Sequence, residues 1–78
     1  MNEDQKLRVL IPHWVEHNQE HTQEFLHFLD TAGSAAVDLR EAAEHMDLVN
    51  QALAAALEKL GGALSIEPNP MHDSHENI

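Results

Sequence analysis

Thr31-Ala32-Gly33-Ser34 is the stretch on which the fold turns. Gly33 suits the left-handed conformation that ends a helix, and Ser34 is a good N-cap for a second one. Helical periodicity lies on both sides, and a connection this short favours antiparallel neighbours. The expected fold is all-α, a two-helix antiparallel hairpin.

Upstream, Pro12–Thr31 carries the first helix, with Pro12 at its first position, where a missing N–H costs nothing. Stepping about 100° per residue from Trp14, the residues Phe25, Phe28, Leu29 and Ala32 share its face. So do His17, Asn18 and His21. Glu24 and His13 fall at the rim, while Glu16, Gln23 and His27 point away. Lys6–Ile11 is apolar and β-branched, and Ile11 precedes a proline, which pushes it towards extended geometry. Residues 1–11 are therefore an N-terminal arm, extended or a short strand, with a short helix as the lesser option.

Downstream, Ala35–Leu60 is a second helix whose inner face reads Ala35, Leu39, Ala42, Met46, Val49, Leu53, Ala56, Leu57 and Leu60. Gly61-Gly62 stops it. The hairpin spans 12–62. The remainder, 63–78, with Pro68 and Pro70, is a flexible tail making at most a short apolar contact through Leu64 and Ile66. Alanines on both flanks of the second helix (Ala43, Ala52, Ala54, Ala55) permit close approach by more than one neighbour. A hairpin cannot bury both of its faces alone, so the economical assembly is a homodimer forming a four-helix bundle.

Composition narrows the function classes. The 78 residues hold no cysteine, so neither disulfides nor thiolates staple so small a domain. Fourteen acidic against four basic residues give a net charge of -10, which repels nucleic acid and anionic membranes. No run reaches the roughly 18–20 apolar residues of a membrane span, and the polar start lacks a signal-peptide pattern. A cytoplasmic location is the default expectation.

The histidines are the chemical signal. His13, His17 and His21 recur every four residues. With the turn centred near residue 33, His45 faces His21 across the hairpin. An imidazole taken from water needs a hydrogen-bond partner, a metal or a proton-sensing role. Histidines at i and i+4 project from Cβ atoms about 6 Å apart, and a third imidazole with a carboxylate completes four-coordination. The candidate metal ligands are His17, His21 and His45, with Glu24 or Glu41 as carboxylate and His13 at the rim. Zinc or nickel suits that set, and other divalent transition metals accept it. Asn18 is placed to orient an imidazole through its other ring nitrogen. Glu24 to His27 has the Glu-xx-His spacing of di-iron bundles, but His27 points outward and only one copy is present. His72 and His75 in the tail carry no pattern. No nucleophile–base arrangement and no phosphate loop is legible, so nothing asks for an enzyme.

Ile11-Pro12-His13-Trp14-Val15-Glu16-His17-Asn18-Gln19-Glu20-His21 resembles the opening of short prokaryotic helical proteins with a Pro-His-Trp-x-Glu-His-Asn-x-Glu-His pattern. Ala42-Ala43-Glu44-His45-Met46 and Leu57-Glu58-Lys59-Leu60-Gly61-Gly62 are similar as well. The resemblance covers most of Leu10–Gly62 and implies no activity. Two functions remain: a dimeric helical protein with a metal-binding histidine pocket, or a protein–protein interaction module whose histidines are satisfied structurally.

Overall fold

A computed structural model of the chain describes residues 1–64. Two α-helices of equal length, α1 (Glu3–His27) and α2 (Ala36–Leu60), form an antiparallel hairpin. Two 3₁₀ turns, Leu29–Thr31 and Gly33–Ala35, connect them. The expectations at Ile66, Pro68, Pro70, His72 and His75 lie outside the described residues.

The N-terminal arm is not extended. Lys6–Ile11 lies inside α1, which begins more than two turns ahead of Pro12. Its start is fixed by a reciprocal capping box: Asn2 Oδ1 accepts from the Gln5 amide at 2.8 Å, and Gln5 Oε1 accepts from the Asn2 amide at 3.1 Å. Glu3 and Asp4 in the first turn oppose the positive end of the helix dipole.

Pro12 sits in the helix interior, where it has no N–H to give the carbonyl of Arg8. That carbonyl accepts instead from the Leu64 amide at 3.1 Å. The same residue closes the far end of α2. Arg8 Nε donates to Gly62 O at 2.7 Å, and its Nη2 donates to Gly61 O at 3.1 Å. A cation on exposed C-terminal carbonyls also complements the negative end of the dipole. The proline interruption and the glycine stop are thus joined in one clasp.

At the other end, Gly33 takes the left-handed conformation expected of it, at φ 61°. Ser34 does not cap α2: it lies within the second 3₁₀ turn, and the boundary residue is Ala35, with no side-chain cap. Tightening the last turn before the helix moves the boundary past the serine.

The seam between the helices is drawn from Ile11, Val15, Asn18 and Thr22 on α1 and from Leu39, Ala43, Met46, Asn50, Leu53 and Leu57 on α2, all buried or half-buried. On α2 these positions alternate steps of four and three, the spacing of a two-helix seam. Among the described residues only Ile11 and Ala43 are fully buried, at 2% and 6% exposure. Ile11 therefore stands at the centre of the hairpin contact. Trp14, the expected centre of the apolar face, is displaced to its flank and is 37% exposed.

A polar pair crosses this seam. Asn18 Nδ2 donates to Asn50 Oδ1 at 3.0 Å, and Asn50 Nδ2 donates to the Val15 carbonyl at 3.4 Å. Thr22 folds its hydroxyl back onto the Asn18 carbonyl. A part-buried amide pair of this kind fixes register, because any slip leaves both amides unpaired.

Candidate functional site

The histidines lie beside the seam rather than in it. At about 100° per residue from Ile11, the residues Leu10, Trp14, His17, His21 and Phe28 fall roughly 60–120° to one side. On α2, measured from Met46, Ala42, Val49, Ala56 and His45 fall about 40–100° to the same rotational side. Because α2 runs in the opposite direction, both stripes emerge on one broad surface of the hairpin, here termed the front face. It combines imidazoles with exposed apolar groups: Leu10 and Trp14 at 37%, Val49 at 44% and Phe28 at 55% exposure.

Within α1, His17 and His21 form a contact pair, with ring centroids 4.7 Å apart and planes at 88°. Each has a carboxylate at Nδ1 from the next turn. Glu24 Oε1 lies 3.3 Å from His21 Nδ1, and Glu20 Oε1 lies 3.8 Å from His17 Nδ1. The His21 ring also stacks on Phe25, at 6.4 Å between centroids. Both histidine side chains are nearly half exposed.

His45 does not join them. Its Nε2 lies 3.9 Å from Glu41 Oε2 on its own helix, and its side chain is 69% exposed. The register differs from the one placing His21 against His45. Asn18 bonds Asn50, which sets Gln19 level with about Val49 and His21 level with about Asp47. His13 is exposed, and His27 packs its ring edge-on against Phe28 near the turn. Among the described residues of one chain, no three His, Asp or Glu side chains gather closely enough to hold a metal ion. Of the six candidate ligands, the fold brings His17 to His21, Glu24 to His21 and Glu41 to His45.

Asn50 is absent from the residues that the sequence singles out. Glu20 stands at i,i+3 spacing from His17, a helix-surface contact. Asn50 occupies a position in the seam repeat Leu39, Ala43, Met46, Asn50, Leu53. The order of the front face is a further feature. On α1 it reads nearly alike from either end about Gln19. His17 and His21 lie two residues to either side, Leu10 and Phe28 nine to either side, and Trp14 and Phe25 five and six away. On α2, Ala42 and Ala56 are each seven residues from Val49, the residue level with Gln19.

No helix of the described residues is long and apolar enough to cross a membrane. The model of a domain of unknown function, DUF8180, matches residues 7–60. No curated protein and no solved structure matches the chain.

Proposed function

We propose that this chain, which belongs to the DUF8180 family of domains of unknown function, is a self-associating helical module. Two hairpins stack front face to front face into a four-helix bundle. The observation that carries this reading is the thin core: among the described residues two are fully buried, while Leu10, Trp14, Phe28 and Val49 stand exposed on one surface. A chain that buries so little gains stability by covering such a surface.

The occupant is a second copy because the front face is nearly symmetric. A two-fold axis lying in the contact plane, crossing the helices at the level of Gln19 and Val49, stacks each helix antiparallel on its own counterpart. Leu10 of one copy then meets Phe28 of the other, Trp14 comes beside Phe25, and Val49 meets Val49. Apolar groups meet apolar groups, and an isologous contact requires this self-complementarity. Ala42 and Ala56 keep the α2 pair close. His45 and Asp38, which also falls about 80° from Met46 on this side, break the symmetry.

A mass measurement in solution tests the reading. The intact chain is expected to be dimeric, and Leu10→Glu, which puts a charge opposite Phe28, is expected to return it to monomer with its helicity retained. A wild-type monomer would contradict self-association and favour a different protein as the occupant of the same face.

A further inference from the structure

We infer that the dimer binds one divalent transition metal ion on its two-fold axis, through His17 and His21 of each copy; this rests on the self-association just proposed. The two histidines are the innermost symmetric pair of the front face, two residues to either side of Gln19. The axis therefore brings His17 of one copy beside His21 of the other, and four imidazoles converge where one chain supplies two. Among the described residues a single chain gathers no set of three ligands. A second copy completes the tetrahedral set that zinc prefers.

The geometry within one chain suits this chemistry. Metal–nitrogen bonds of about 2.0–2.1 Å with tetrahedral angles place two ligating imidazole centroids about 5 Å apart. The His17 and His21 rings are 4.7 Å apart. Glu20 and Glu24 stand at the two Nδ1 atoms, 3.8 and 3.3 Å away. Glu24, within hydrogen-bond reach of His21 Nδ1, holds the proton there, orients the ring and leaves Nε2 as the ligating lone pair. Glu20 stands just beyond that reach of His17. Trp14 and Phe25 flank the histidines along the stripe and would shield the ion from water. The charge argues the same way, since each chain carries -10 and a bound cation lowers the repulsion between the copies. His45 lies a helical turn from the axis, with Nε2 towards Glu41, and takes no part.

The test is a zinc titration of the metal-free full-length chain, with native mass spectrometry and sedimentation as readouts. The expected result is one zinc per two chains. With free zinc about 100-fold above its dissociation constant, the dimerisation constant should rise about 100-fold. His17→Ala and His21→Ala should each abolish that gain and leave the weaker metal-free dimer. His45→Ala and the tail variant His72→Ala/His75→Ala should retain it. A dimer that takes up no zinc, one zinc per single chain, or uptake lost only in the tail variant would overturn the metal site while leaving self-association standing. A monomer in every condition would overturn both.

Discussion

Among individual side chains, Arg8 and the Asn18–Asn50 pair do the most to define the hairpin. Arg8 ties the start of α1 to the end of α2, with two guanidinium bonds to Gly61 and Gly62 and its own carbonyl bonded to Leu64. Hydrogen bonds from a charged donor contribute about 1.5–3 kcal/mol, so Arg8→Ala should lower the unfolding free energy by about 1–3 kcal/mol in urea titration. Arg8→Lys should recover only part of that, since an ammonium lacks the two-pronged fork. Gly61 reinforces the same clasp: its φ is 114°, and a methyl group there would stand 3.2 Å from Arg8 Cζ. The asparagines make a separate prediction. A double-mutant cycle with Asn18→Ala and Asn50→Ala should return a coupling energy of about 1 kcal/mol. Additive single effects would mean that the amides do not support one another.

Both helices are legible in the sequence, and so is the end of α2 at Leu60, but the ends of α1 are not. Gly33 and Gly61-Gly62 announce the turn and the stop, and all three adopt positive φ. Alternating apolar positions give α2 nearly complete. The start of α1 is hidden because Pro12 has the credentials of a helix beginner and Ile11 those of a residue forced out of the helix. The competing signal, Asn2-Glu3-Asp4-Gln5, is a capping box with an acidic first turn, and it prevails. That outcome rotates the whole helix. Without Leu7 and Ile11, the apolar face centres on Trp14 and the histidines beside it fall in the seam. Counting Ile11 moves the centre by about 60° and leaves the imidazoles on an outer face. The interior proline has a measurable cost. Proline is about 3 kcal/mol worse than alanine within a helix, and the Leu64 bond offsets about 1 kcal/mol. Pro12→Ala should therefore raise stability by about 1–2 kcal/mol and speed hydrogen exchange at Leu64. Unchanged stability would mean that the surrounding helix already absorbs the proline without strain.

As a molecule, the hairpin is a single layer of two helices. Its seam excludes water at two of the described residues; Leu10, Trp14, Phe28 and Val49 are exposed on the front face, while Leu26, Val37 and Leu48 are exposed elsewhere. The expectation of a dimer can be argued from sequence, because the alanines and leucines of α2 exceed what one neighbour covers. Which face a partner would occupy cannot, because that depends on the rotation of α1 about its own axis. Once the rotation is set by Ile11, the order of Leu10, Trp14, His17, His21, Phe25 and Phe28 acquires its near-symmetry. A charge near the centre of that order should be poorly tolerated. Trp14→Glu should weaken dimerisation at least about tenfold, since losing one well-buried aromatic at a contact centre costs about 2 kcal/mol or more. Val37→Glu, on the outer side of α2 where Val37 is 66% exposed, should leave assembly unchanged.

Sedimentation equilibrium of the intact chain, with no metal added and beside Trp14→Glu, decides whether the front face joins two copies. The proposed bundle predicts twice the mass of one chain for the wild type and a shift towards a single chain for the variant, with equal helicity in both. A wild type that sediments as a single folded chain at every concentration would contradict it.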